Sequence, residues 1–184
     1  EQERFDNKLR DIAGRVLALL DHCLLPQVRR RVAAGSSVAA QDLVLYLRVK
    51  ADYLRYLCTW GDAVRGAAGG SAGAIGKVAE VEELYAEALH TAGRHLRPRH
   101  LFRSGLAGNA AVFQAEVRRD YAAAFGLAHG ALAAAENWNG KQEWAPGKGD
   151  VAERLNWGLL ESDMQVFGSS LVFLSLRFDP DSLA

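Results

Sequence analysis

The apolar residues of this 184-residue chain recur three and four positions apart over most of its length. This is the spacing of one face of an α-helix. No sustained run of β-branched residues alternates with polar ones, as a half-buried strand would require. We therefore predict an all-α chain of consecutive antiparallel helices joined by loops. The first of these periodic segments, DNKLRDIAGRVLALLDHCLLP, places Leu9, Ile12, Val16, Leu19, Leu20 and Cys23 on such a face.

Turn-forming residues separate the predicted helices. Pro26 is expected to stop the first helix. A connector then leads to the second helix; it is basic at its start and rich in small residues after that. Later breaks are predicted at the glycine-rich loop 66–76, at Pro98 and in the segment NGKQEWAPGKG. We expect one helical domain over residues 1–170 and an extension over 171–184. The later helices are predicted at about 38–64, 77–96, 100–117, 121–138 and 150–176.

The charge balance argues against a nucleic-acid or membrane partner. Lys+Arg and Asp+Glu both number 22, so no global field favours polyanions. The basic segment RHLRPRHLFR is interpreted as a solvated helix junction in preference to a nucleic-acid patch. Cys23 and Cys58 show no metal-ligand spacing and are expected to be buried, reduced thiols. We therefore expect a cytoplasmic location, with the nucleus as a second compartment. No signal peptide is visible, and residues upstream of Glu1 stay an open matter, because the pattern places Glu1 inside a helix.

The sequence motifs provide no catalytic or metal chemistry. The segment GSAGAIGKV resembles a phosphate-binding loop but carries Ser71 and Val78 where that loop needs a glycine and a hydroxyl residue. No nucleophile, base and orienting group occur together, and no His/Cys/Asp/Glu spacing suits a metal. We predict a protein that is not an enzyme, with no catalytic residues, metal or cofactor.

The segment LRVKADYLRYL places one charged stripe on a helix that is otherwise apolar. Arg48, Asp52 and Arg55 fall on this stripe, with Tyr56 at its edge, at spacings that permit ion pairs. Lys50 falls among apolar residues and is expected to extend its ammonium to solvent. Two interpretations stay open. The stripe is either an ordinary solvated face, or an anion site in which Asp52 orients Arg55 beside the Tyr56 hydroxyl.

Two later helices each combine polar and apolar residues on one face. Asn109 is unusual in an alanine-rich helix and would suit the backbone groups of a bound segment. One charged wall and one apolar wall fit an extended phosphopeptide better than a small metabolite. The two faces comprise Asn109, Val112, Phe113 and Glu116 in the first helix, and Leu159, Leu160, Asp163 and Phe167 in the second.

Several segments, in order, resemble the 14-3-3 family. YLRVKADYLRYL resembles its signature helix, and LRDIAGRVLALLDHCLLP is similar to the helix before it. RHLFRSGLAGNAAVFQAEV and DVAERLNWGLLESDMQVF resemble two later helices, so the likeness spans roughly residues 4–168. The resemblance implies an antiparallel helical array with a concave amphipathic groove. It also implies a non-catalytic adaptor that dimerises and binds phosphoserine or phosphothreonine segments.

The resemblance also implies roles for individual residues. Arg55 and Tyr56 match the family's phosphate-binding arginine and tyrosine, and Arg48 matches a groove lysine. Asn109 matches the asparagine that holds the peptide backbone. The remaining groove positions are Val112, Glu116, Leu159 and Phe167, the last standing where the family has tryptophan.

The chain departs from the family pattern at several positions. Asp163 replaces the second groove asparagine; it cannot donate to a peptide and repels phosphate. Gly108 replaces a leucine. Lys8 replaces a dimer-bridging glutamate, and the family's first three helices are absent from this sequence. Both observations count against the implied homodimer. The first three helices also carry a further lysine and arginine of the phosphate pocket.

Two alternatives accompany the adaptor hypothesis. One is a helical scaffold of the same fold that has lost phosphate dependence and binds unmodified acidic or apolar segments. The other concerns the tail LRFDPDSLA, which is either a packing extension or a segment that binds its own or a neighbour's groove. In the second case Asp181 or a phosphorylated Ser182 would supply the anion.

Overall fold

The computed structural model describes residues 2–65 and 72–137. Within these two ranges the regular elements are helices, and no strand occurs. The all-α prediction is therefore confirmed. In chain order the elements are α1 (Gln2–Leu19), a π-helical turn (Leu20–Leu24), α2 (Leu25–Ala33), α3 (Ser37–Arg65), α4 (Ala72–His95), α5 (Leu101–Phe113), a second π-helical turn (Gln114–Arg118) and α6 (Tyr121–Glu136).

The first helix does not end at Pro26, contrary to our prediction. The chain stays helical through the π-helical turn into α2, with Pro26 in the first turn of α2. The Leu25 N–H donates to the Leu20 carbonyl, five residues back. A wider turn at this point relieves the clash that a proline ring makes with the preceding turn of a regular α-helix. The predicted connector is thus largely helical, and the actual turn, around Gly35 with φ +86°, immediately precedes α3.

Helix α3 forms the centre of the first compact unit, which extends to Leu96. It packs against α2 and α4. Its fully buried residues include Val44, Leu47 and Ala51, at helical spacing. Opposite them, α4 contributes the buried residues Val81, Leu84, Tyr85, Ala88 and Ala92.

A second compact unit begins at Arg97 and contains α5 and α6. The two helices pack through small side chains, which let their backbones approach closely. The His100 imidazole caps α5 and the Asp120 carboxylate caps α6, each accepting a backbone N–H. Its core comprises Ala111, Ala115, Ala124 and Ala128, flanked by Tyr121, Phe125, Leu127 and Leu132.

The predicted boundaries hold for α3, α5 and α6 to within a few residues. Helix α4 begins at Ala72, so the predicted loop was wrong over 72–76. The alanines and isoleucine of that segment favour helix enough to accommodate its glycines. The rest of that loop, the loop at 139–149 and the helix at 150–176 lie outside the described residues.

The two cysteines differ from each other in exposure. Cys58 is buried as expected, but Cys23 is exposed. Cys23 shares its helical face with Ile12 and Leu19, which are also exposed, because α1 and the π-helical turn pack through Ala13 and Leu20 instead. Within the described ranges, no helix is long and apolar enough to cross a membrane.

Candidate functional site

The charged stripe of α3 contains a buried arginine beside an exposed tyrosine. Arg55 is only 7% exposed, whereas the next residue, Tyr56, is 42% exposed. The guanidinium carbon of Arg55 lies 4.4 Å from the centroid of the Tyr56 ring. This cation–π contact fixes the plane and position of the guanidinium. The helix therefore presents a pre-oriented cation next to a phenol that solvent reaches.

Asp52 sits at the centre of the hydrogen bonds on this stripe. Its Oδ1 accepts a hydrogen bond from the Tyr85 hydroxyl of α4 at 2.5 Å. Its Oδ2 lies 3.6 Å from Nε of Arg48, one helical turn earlier. The Asp52 side chain is 17% exposed and that of Arg48 is 30% exposed. The carboxylate is thus held firmly by Tyr85 and loosely by Arg48, since 3.6 Å is long for a charged hydrogen bond.

The Tyr85 hydroxyl connects Asp52 to Arg55. Burial raises the pKa of Tyr85, and Asp52 raises it further against the opposing effect of Arg55. The phenol therefore keeps its proton and donates a hydrogen bond to Asp52. Burial alone lowers the pKa of Arg55, but its contacts with Tyr85, Tyr56 and Asp52 outweigh burial, so that the pKa is raised. Arg55 remains a cation despite its burial.

Lys50 does not extend its ammonium to solvent, contrary to our prediction. Its side chain is 14% exposed, and Nζ lies 2.9 Å from Oδ1 of Asp21 and 3.1 Å from Oε1 of Glu80. Burial lowers the pKa of Lys50, but the hydrogen bonds and charges of the two carboxylates outweigh it and raise the pKa. Lys50 therefore joins the π-helical turn, α3 and α4, and its charge is used inside the fold.

The predicted binding residues of the second unit lie on α5 and the π-helical turn after it. Asn109 and Val112 are half-buried and Glu116 is exposed. Phe113, expected on the same face, is 1% exposed and belongs to the core. That Asn109, Val112 and Glu116 line one groove with the α3 residues stays a prediction. Leu159, Asp163 and Phe167 lie outside the described residues.

The family model described as "14-3-3 protein" matches residues 1–143. The chain belongs to the 14-3-3 family. It is 36% identical over 116 residues to "14-3-3-like protein 2" of Caenorhabditis elegans, covering 63% of this chain and 40% of that protein. It is 32% identical over 133 residues to "14-3-3 protein beta/alpha-1" of Oncorhynchus mykiss, covering 71% of this chain and 47% of that protein. The chain thus spans less than half the length of these relatives.

Sequence reasoning in this 14-3-3 chain missed Tyr85, which donates to Asp52, and both partners of Lys50. Tyr85 lies four residues after Val81 and three before Ala88, a helical spacing that places the tyrosine on a buried face. A buried tyrosine hydroxyl needs a hydrogen-bond partner, so the requirement could be read from the sequence although the partner could not. Asp21 and Glu80 gave no such signal, because acidic residues on a helix are usually solvated.

The described part of this 14-3-3 chain holds no group of three or more His, Cys, Asp or Glu side chains that could bind a metal. The polar chemistry of the α3 stripe is instead that of anion recognition. A guanidinium and a phenol hydroxyl both donate hydrogen bonds. That Arg55, Tyr56 and Arg48 together bind the oxygens of a phosphate stays a prediction.

Proposed function

We propose that this chain is a non-catalytic adaptor that binds phosphoserine- or phosphothreonine-containing segments of partner proteins. The observation that carries the proposal is the buried Arg55 guanidinium, oriented on the ring of the exposed Tyr56. A guanidinium fixed in this way has already lost much of its conformational entropy before a ligand arrives. Arginine also binds phosphate through two parallel hydrogen bonds, and a phosphate monoester offers a third acceptor oxygen and more negative charge than a carboxylate.

Arg48 supports the same assignment. It is half-exposed, and its 3.6 Å contact with Asp52 is an ion pair of the weak surface type. Such a side chain can turn to an arriving phosphate without giving up a strong contact. Arg48 and Arg55 together carry two positive charges on the stripe, against the single carboxylate of Asp52.

The remaining residues receive roles in the same proposal. Asn109 would hold the backbone of the bound segment, with Val112 and Glu116 beside it. Leu159, Asp163 and Phe167 would contact the residues that flank the phosphate. We also propose a cytoplasmic location and assembly as a homodimer, both of which rest on family membership. The homodimer is proposed although Lys8 replaces the family's dimer-bridging glutamate.

The test compares a phosphoserine peptide with its unphosphorylated twin by isothermal titration calorimetry. The phosphorylated peptide should bind, and the twin should bind at least tenfold more weakly. Arg55→Ala should reduce phosphopeptide affinity by about 2–3 kcal/mol, roughly a hundredfold, because a charge-assisted contact is lost. Arg55→Lys should recover only part of this, since an ammonium cannot form the paired hydrogen bonds.

Arg30→Ala is the matched control. Arg30 is an exposed arginine of α2, bonded to the Pro26 carbonyl of its own helix. Its replacement should leave both affinities unchanged. Equal binding of the two peptides to the wild-type chain would overturn the proposal. It would favour the scaffold that binds unmodified segments. That alternative predicts that phosphatase treatment does not change which partners a pull-down with this chain recovers.

A further inference from the structure

We propose that Tyr85 is a positioning residue of the candidate phosphate site, because its buried hydroxyl donates to Asp52, which lies on the same helical stripe as Arg55. The inference rests on the proposed function and adds a residue on a second helix to it. Tyr85 belongs to α4, whereas Arg48, Asp52, Arg55 and Tyr56 belong to α3. Its role is thus to set the geometry of the α3 stripe from the neighbouring helix.

The position of Tyr85 leaves its hydroxyl little freedom. The residue is 3% exposed, between the buried Val81 and Ala88 on the face of α4 that packs against α3. Its hydroxyl donates to Oδ1 of Asp52 at 2.5 Å. The Arg55 guanidinium acts on the same hydroxyl, because it opposes the rise in the pKa of Tyr85 that Asp52 causes. The hydroxyl therefore interacts with both charged groups of the stripe.

This arrangement moderates the attraction between Asp52 and Arg55. A phenol that donates to the carboxylate satisfies part of its hydrogen-bonding capacity, so the carboxylate competes less strongly for the guanidinium. The guanidinium then stays stacked on Tyr56, where its remaining N–H groups can meet a ligand. Arg48 is likewise left in its loose 3.6 Å contact.

Removal of the Tyr85 hydroxyl should lower phosphopeptide affinity. In Tyr85→Phe, a largely buried carboxylate loses one of its hydrogen-bond donors, and its attraction for nearby cations is less well balanced. The nearest cationic donors are Arg55 and Arg48, so both should be drawn towards Asp52 and away from a ligand. Phosphopeptide affinity should fall roughly tenfold, the usual worth of a hydrogen bond to a charged group. Affinity for the unphosphorylated twin should not change.

Replacing Asp52 with Asn in the same background tests the mechanism. The amide has the shape of the carboxylate without its charge, so it should no longer capture the arginines. Tyr85→Phe/Asp52→Asn should therefore bind the phosphopeptide more tightly than Tyr85→Phe alone. A purely structural role for Tyr85 would predict no such rescue, since the second substitution adds no packing.

A measurement without ligand keeps this test independent of the proposed function. The Nε atom of Arg55 is inaccessible to solvent, so its N–H group should exchange slowly with water in ¹H–¹⁵N spectra. Tyr85→Phe should shift this resonance and change its exchange rate, because the guanidinium moves towards Asp52. Tyr53→Phe is the control, because it removes the hydroxyl of a half-buried tyrosine of α3 and should leave the Arg55 resonance in place.

The two measurements separate the possible failures. An unchanged Arg55 resonance in Tyr85→Phe overturns the positioning role, whatever the peptides do. Equal loss of affinity for both peptides, or a double variant no tighter than Tyr85→Phe, overturns it as well. A wild-type chain that binds both peptides equally overturns the proposed function, while the Arg55 spectrum still decides whether Tyr85 fixes the guanidinium.

Discussion

Two charged clusters on helix α3 use their cations in opposite ways. Around Lys50, one ammonium meets two carboxylates, those of Asp21 and Glu80, at 2.9 and 3.1 Å. Around Arg55, the stripe carries two guanidinium groups and the carboxylate of Asp52, and Arg48 lies 3.6 Å from that carboxylate. The first cluster uses its cation to join helices. The second orients a cation beside an exposed tyrosine, an arrangement that suits ligand binding. Lys50 and Arg55 look alike in the sequence, and their positions in the fold distinguish them.

Leu47→Ala should produce the largest effect, because it leaves a cavity in the core of the first unit. Leu47 is completely buried on α3. Truncating such a leucine costs about 3 kcal/mol of the free energy of unfolding. Urea denaturation followed by circular dichroism measures the loss. Val38→Ala, on the same helix but 60% exposed, should change it by less than about 0.5 kcal/mol. Equal losses for the two variants would contradict the packing assigned to α3.

Lys50→Met should separate the two clusters. The substitution keeps the apolar stem but leaves Asp21 and Glu80 close together without their cation. Both carboxylates are more than a third exposed, so solvent screening limits the loss of unfolding free energy to about 1–2 kcal/mol.

Phosphopeptide affinity of folded Lys50→Met should equal that of the wild type. Arg55→Ala should also lower the free energy of unfolding, because its guanidinium is buried, but it should differ from Lys50→Met by lowering phosphopeptide affinity roughly a hundredfold. If Lys50→Met weakened phosphopeptide binding as strongly as Arg55→Ala, the division of α3 into a structural and a binding cluster would be wrong.

The parts of the structure that could be predicted are those decided by neighbours in the sequence. The extent of α3 follows from apolar spacing, and Arg48, Asp52 and Arg55 fall on one stripe because they lie within two helical turns. The parts that could not be predicted depend on other helices. Tyr85 reaches Asp52 across 33 positions of the chain, and nothing in the local pattern of either helix pairs them.

The same limit explains the errors around α1 and Lys50. Proline usually ends a helix, but here a π-helical turn carries the helix past Pro26. That turn also carries Asp21, one of the two carboxylates that hold Lys50. The helix boundary and the fate of the lysine were therefore missed together, since both depend on a local distortion that periodicity does not reveal.

Arg48→Ala should have a smaller effect than either preceding change. Its contact with Asp52 is long and half-exposed, so the free energy of unfolding should fall by less than about 0.5 kcal/mol. Phosphopeptide affinity should fall about three- to fivefold, because one solvated cation is lost near the ligand. Calorimetry at two salt concentrations checks this, since the loss should shrink as salt rises. A loss independent of salt would show that Arg48 acts through packing.

The smallest effect should appear in the second unit, at the cap of α5. The Phe102 N–H donates to Nδ1 of His100, which caps α5. Burial, with a contribution from Arg97, lowers the pKa of His100 from its usual 6.5. The cap is therefore fully formed above pH 6.5, and its contribution to stability is lost as the pH falls through the lowered pKa.

Asparagine caps helices without titrating. Between pH 7.5 and 5, the free energy of unfolding of His100→Asn should therefore fall by about 0.5 kcal/mol less than that of the wild type. Urea titrations across that range test this, with His90→Asn as an exposed control whose profile should follow the wild type. Superimposed profiles for wild type and His100→Asn would exclude His100 as the origin of the acid sensitivity.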